Sequence, residues 1–121
     1  MALSILICDD SSFARKQMAR AVPAELDAEI SYACNGEEAL QAIEEGKGEL
    51  LFLDLTMPVL DGFETLKVIR KNDINTMVIV VSGDIQPEAY QEVMANGALD
   101  FIKKPASKDK IREVLTKFGI L

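Results

Sequence analysis

The chain has 121 residues, 49% of them hydrophobic and 27% charged, with a formal net charge of −7 and no histidine. That length suits one domain with one core, and the missing histidine removes Ser-His-Asp and Cys-His catalysis, histidine metal sites and a phosphohistidine carrier role. The negative charge argues against general nucleic-acid binding, which relies on Lys and Arg to neutralise phosphates.

Short apolar runs alternate with helical patterns along the chain, the mark of a parallel α/β sheet. The first predicted strand, Leu3 to Cys8, runs into Asp9-Asp10, after which Ser11 or Ser12 caps a helix with Ala14, Met18, Ala21 and Val22 on its apolar face. A second strand, Glu29 to Ala33, leads through Asn35-Gly36 into a helix facing inward with Ala39, Leu40 and Ile43. Leu50 to Leu53 is four consecutive apolar residues, as expected of a strand buried on both faces, and it ends at Asp54. Pro58 biases Met57 away from helical dihedrals, so regular structure should resume only after Gly62, with Phe63, Leu66 and Ile69 inward. Met77 to Val81 forms the fourth strand and gives way to Ser82-Gly83-Asp84. Pro87 suits the first turn of a helix presenting Tyr90, Val93 and Met94. Leu99 to Ile102 is the fifth strand; Lys104-Pro105 follows it, and Ser107 caps a last helix with Ile111, Val114, Leu115 and Phe118.

Right-handed crossovers favour a doubly wound, five-stranded parallel sheet of flavodoxin-like order 2-1-3-4-5, with helices on both faces and one domain over residues 1–121. No apolar stretch approaches the roughly 20 residues of a membrane helix, and the amino terminus lacks the charged region and cleavage site of a signal peptide. A cytoplasmic protein without membrane contact is expected. Cys8 and Cys34 supply no disulfide framework or metal spacing, and both are expected as inert buried thiols. Charge is uneven: residues 101 to 121 hold six Lys or Arg against two acids, which fits a solvated helix face rather than a DNA site and could also meet an acidic partner.

In a 2-1-3-4-5 sheet the first and third strands are neighbours, so Asp9, Asp10 and Asp54 converge on the carboxyl edge, where open α/β sheets bind ligands. One aspartate at a strand end stabilises a turn. Three at close range repel one another, a cost that makes sense if a hard divalent cation sits among them. Oxygen donors without histidine or thiolate suit Mg²⁺. The Ser82 hydroxyl can hydrogen-bond an anionic ligand at the same edge, and the Lys104 ammonium can reach the carboxylates.

This constellation resembles the receiver domain of two-component response regulators of the stand-alone, chemotaxis type, and the match runs the length of the chain. It comprises Asp9-Asp10, the run from Asp54 to Gly62 with Met57-Pro58 and Asp61-Gly62, Ser82-Gly83-Asp84, and Phe101-Ile102-Lys103-Lys104-Pro105. The resemblance implies that Asp54 is the phosphoacceptor and that Asp9, Asp10, Asp54 and the backbone carbonyl of Thr56 hold Mg²⁺. It also implies that Ser82 and Lys104 contact the phosphoryl oxygens, with a cis bond between Lys104 and Pro105. Ser82 and Phe101 would be the switch residues, and Thr56 and Asp84 would tune the lifetime of the phosphoryl group. A sensor histidine kinase or phosphotransfer protein would be the donor. A downstream protein target would read the face of the fourth helix, fifth strand and fifth helix, and the protein would be a monomer or a weak phosphorylation-dependent dimer. The implied role is a phosphorylation-activated switch that promotes its own phosphotransfer and dephosphorylation.

Other functions fit less well. A Mg²⁺-dependent aspartyl phosphatase expects an Asp-x-Asp pair after the first strand, which Asp9-Asp10-Ser11 does not provide. A flavin or nucleotide carrier wants glycines or hydroxyls where Asp9 and Asp10 stand, and Gly46-Lys47-Gly48 lacks the P-loop pattern.

Overall fold

The computed structural model describes residues 2–83 and 86–121. Strands β1 (Leu3–Cys8), β2 (Ala28–Ala33), β3 (Leu50–Leu53), β4 (Met77–Ser82) and β5 (Asp100–Lys103) alternate with helices α1 (Ser12–Ala21), α2 (Gly36–Glu44), α3 (Gly62–Lys71), α4 (Pro87–Ala95) and α5 (Lys108–Lys117). The strands form one parallel sheet in the expected order β2-β1-β3-β4-β5.

Strand alternation divides the interior into two cores. Ile5, Ile7, Leu50, Phe52, Ile79 and Val81 pack with Met18 and Ala21 of α1 and with Ile111 and Leu115 of α5. Their neighbours Leu6, Cys8, Leu51, Leu53, Val78 and Val80 pack on the opposite face with Ala39 of α2, Leu66 and Ile69 of α3 and Val93 of α4. All four residues of β3 are buried, which explains its unbroken apolar sequence.

Each helix is started by local chemistry. Ser11, rather than Ser12, caps α1 by accepting the Ala14 N–H, while Asn35 and Ser107 cap α2 and α5 in the same manner. Asp61 caps α3, which begins at Gly62 itself, and Pro87 occupies the first turn of α4. A 3-10 turn at Ala24–Leu26, with no apolar periodicity to announce it, carries the chain from α1 to β2. Strand limits shift by one residue: β2 starts at Ala28, β4 reaches Ser82 and β5 covers Asp100–Lys103.

Three expected burials differ. Cys8 is buried, and that burial first, with the charges of Asp9 and Asp54 added, pushes its thiol up to about 12. Cys34 is exposed because it lies just past edge strand β2, in the turn where its N–H donates to Glu38 Oε1 at 2.8 Å. Tyr90 and Phe118 are also exposed: their helices cover the sheet with other residues, Ala89 and Val93 in α4 and Ile111 and Leu115 in α5.

The segment between β3 and α3 is tightly built. A Cβ on Gly62 would lie 2.1 Å from the Asp54 carbonyl oxygen and 2.8 Å from Leu55 Cα, so only glycine lets the chain pass there. Val59 has φ +69° and is 71% exposed. The Leu60 N–H donates to the Pro58 carbonyl at 2.8 Å, closing a three-residue turn around Val59 of the strained, positive-φ kind. The Gly36 N–H donates to the Leu60 carbonyl at 2.9 Å and ties this loop to the start of α2.

Candidate functional site

Register brings the acids together. Cys8 pairs with Leu53 across β1 and β3, so the next residues, Asp9 and Asp54, emerge side by side at the carboxyl edge. The ladder continues through them, the Asp54 N–H donating to the Cys8 carbonyl and the Asp9 N–H to the Ala33 carbonyl, each at 3.0 Å. Both carboxylates are only 6% exposed, whereas Asp10 is exposed. One oxygen from each of Asp9, Asp10 and Asp54 lies within 4.8 Å of the others.

Lys104 reaches this cluster from the end of β5. Its Nζ is 2.7 Å from Asp9 Oδ2 and 3.4 Å from Asp54 Oδ1, and its N–H donates to the Ser82 carbonyl at 2.9 Å. The Lys104–Pro105 bond is cis, as the resemblance implied. Ser82, the last residue of β4, is 1% exposed. It follows Val78 and Val80 in strand alternation and so belongs to the face covered by α2, α3 and α4.

Asp9 is held at several atoms: Oδ1 accepts the Ser11 N–H at 3.0 Å, Oδ2 the Lys104 ammonium, and the carbonyl oxygen Arg15 Nη1 at 2.8 Å. Arg15 is a residue that sequence reasoning missed. The only available signal was an arginine at the fourth position of α1, and such a residue more commonly faces solvent. Thr56 is exposed in the loop after β3, and Asp84 lies outside the described residues.

Burial first, and the Asp9 charge second, raise the Asp54 carboxyl above its ordinary range; Lys104 opposes this without cancelling it. Burial works against the Lys104 ammonium, yet its hydrogen bond to Asp9 and the charge of Asp54 outweigh that and hold it above the usual lysine range. One ammonium thus serves two buried acids. The deficit of positive charge, in an all-oxygen donor set, fits a hard divalent cation such as Mg²⁺.

Phe101 in β5 is half-buried beside the α2–α4 core. Its ring centroid is 6.0 Å from that of Tyr90, with the planes at 60°. Together with Pro87 and Gln91 they line an open groove of about 400 Å³ between α4 and β5.

The family described as "Response regulator receiver domain" matches residues 5–116. The chain belongs to this family. As a receiver domain it is a phosphorylation-activated switch, with an acidic pocket formed by Asp9, Asp10 and Asp54. Over 115 residues it is 36% identical to the chemotaxis protein CheY of Listeria monocytogenes, covering 95% of this chain and 97% of that protein. It is 41% identical over 86 residues to a probable C4-dicarboxylate response regulator, DctR, of Bacillus subtilis; the match spans 71% of this chain but only 38% of that longer protein. Among solved structures it resembles the CheX–CheY–BeF3–Mg²⁺ complex from Borrelia burgdorferi, with a TM-score of 0.86, 29% identity and coverage of 97% and 89% of the two chains. Among the described residues no helix of this receiver domain is long and apolar enough to cross a membrane.

Proposed function

We propose that Asp54 is the residue that accepts the phosphoryl group, from a phosphohistidine on a sensor histidine kinase or phosphotransfer protein. The observation that carries this reading is the position of Asp54. It is a nearly buried carboxylate with Asp9 and Asp10 within 4.8 Å and the Lys104 ammonium at 3.4 Å. In the transfer an Asp54 oxygen forms the new O–P bond as the N–P bond of the donor breaks, and the imidazole leaves with the electron pair of that bond. Asp9, Asp10, Asp54 and the Thr56 carbonyl would hold Mg²⁺, which when bound neutralises charge spreading over the phosphoryl oxygens. Lys104, already within reach of Asp54, supplies a second positive charge to the same oxygens. Water attack on the aspartyl phosphate would reset the switch by returning a carboxylate and inorganic phosphate, with Thr56 and Asp84 tuning its rate.

Output in this reading runs from Ser82 to Phe101. Ser82 follows Val78 and Val80 on the α2–α4 side of the sheet, where Phe101 also packs, and Phe101 lines the groove with Tyr90. Phosphorylation would shift the population between two packings of these side chains and alter binding of a downstream protein target at α4, β5 and α5. The role is cytoplasmic, and the protein acts as a monomer or weak phosphorylation-dependent dimer. The test is labelling by a small phosphodonor such as acetyl phosphate. Wild type should be labelled only with Mg²⁺, and Asp54→Asn should abolish the labelling; undiminished labelling of that variant refutes the assignment.

A further inference from the structure

The sequence places a positive surplus near its end, and the fold enlarges it by packing α5 beside α1. Helix α1 carries three Lys or Arg and no acid, and α5 carries four against two acids, in a chain whose net charge is −7. Part of this charge is committed: Arg15 is bonded to the Asp9 carbonyl. Away from the phosphoryl site, Arg20, Lys108 and Arg112 surround a groove of about 220 Å³ whose floor is the apolar segment 21–24. Among the described residues neither Arg20 nor Lys108 forms an ion pair.

The groove has already selected one kind of anion. Glu25, in the 3-10 turn beside it, meets Arg112 through two parallel hydrogen bonds, Nη1 to Oε2 and Nη2 to Oε1, each 2.9 Å. That forked geometry matches a planar carboxylate, as it also matches a phosphate. Both side chains of the pair are about half exposed, so an incoming carboxylate can compete for the guanidinium at little cost.

We infer that the α1–α5 groove is a docking site for an acidic polypeptide segment of a partner protein, with Glu25 as an internal competitor. Three cations over a short apolar floor match a segment that carries two or three carboxylates and one or two aliphatic side chains. A nucleic acid fits less well, because affinity for it grows with the number of phosphates neutralised, and beyond this patch the surface of the chain is predominantly acidic. The inference does not depend on phosphorylation of Asp54, and its test uses the unphosphorylated protein.

The experiment is an NMR titration of the ¹⁵N-labelled full chain, at low salt, with a capped peptide of glutamates and leucines, its glutamine counterpart and a single-stranded oligonucleotide of equal charge. Shifts caused by the glutamate peptide should centre on residues 20–24, 108 and 112. Arg20→Glu and Lys108→Glu should each weaken binding by a factor of about two to five, and Glu25→Gln should tighten it by a similar factor. Shifts centred elsewhere, no response to Glu25→Gln, or equal binding of the glutamine peptide or the oligonucleotide would each overturn the inference. A concentration-dependent dimer of the free protein that Arg20→Glu abolishes would assign the groove to a second copy and overturn it as well.

Discussion

Replacing Asp54 by Asn should make the metal-free protein more stable at pH 7. Two unit charges 4.8 Å apart, the limit for the acid cluster, repel by about 3.5 kcal/mol at an effective dielectric constant of about 20 and by about 0.9 kcal/mol in water. The Asp9–Asp54 pair is buried and lies nearer the first figure; Asp10 is exposed and lies nearer the second. Ionised Asp54 therefore meets about 4 kcal/mol of repulsion, besides the cost of its own burial. Lys104, 3.4 Å away but shared with Asp9, returns about 2 to 3 kcal/mol at an intermediate dielectric. Asparagine keeps the shape and removes both terms, for a net gain of about 1 to 3 kcal/mol, or several degrees in Tm.

Urea unfolding followed by circular dichroism, in EDTA at low salt, measures this gain. Its pH dependence has a definite sign. The folded-state pKa of Asp54 is raised above the ordinary 3.8, so the unfolded chain releases its proton first and the wild type is progressively penalised as pH rises from there to the folded value. The advantage of Asp54→Asn should be full above that folded value and vanish below about 3.8. Mg²⁺ should stabilise wild type far more than the variant. A variant no more stable than wild type at pH 7 in EDTA would refute the picture of an under-neutralised acid cluster.

Lys104→Met should have the opposite effect, costing about 1 to 3 kcal/mol at neutral pH because it leaves Asp9 and Asp54 without their shared cation. Since the folded-state pKa of Lys104 is raised, its contribution is whole below the ordinary lysine value of 10.5 and fades as pH rises through the folded value, so urea melts at pH 7 and in strong alkali should show the difference shrinking. Gly62→Ala should cost about 3 kcal/mol or more, because the added methyl meets backbone atoms that cannot yield; a thermal melt within a degree of wild type would contradict that. Val59→Gly should stabilise by about 1 kcal/mol, since an exposed β-branched residue at φ +69° has strain to lose and little packing; chemical denaturation reads it directly.

Much of this molecule is legible in its amino acids because burial on both faces leaves an unbroken apolar record. Leu50–Leu53 can be read as a central strand, and the acids, hydroxyl and lysine at the strand ends follow once strand order is known. What escaped notice depends on three-dimensional neighbours. Cys34 has the composition of a core residue but stands one position beyond an edge strand. Arg15 matters through its hydrogen bond to a backbone carbonyl, which no residue pattern encodes. The strain at Val59 is a property of a dihedral angle imposed by Pro58 and Leu60, where the side chain itself would suggest a strand. The Arg112–Glu25 pair joins residues 87 positions apart and had no local trace.

The order of strands also divides the labour of the site between the two halves of the chain. All three clustered carboxylates come from the segments following β1 and β3. The Ser82 hydroxyl and the Lys104 ammonium arrive later, at the end of β4 and after β5. A fragment ending at Leu55 would thus carry the three acids without the ammonium that Lys104 brings to them. The later strands bring the counter-charge to those acids, and the second of them, β5, also borders the groove lined by Tyr90 and Phe101.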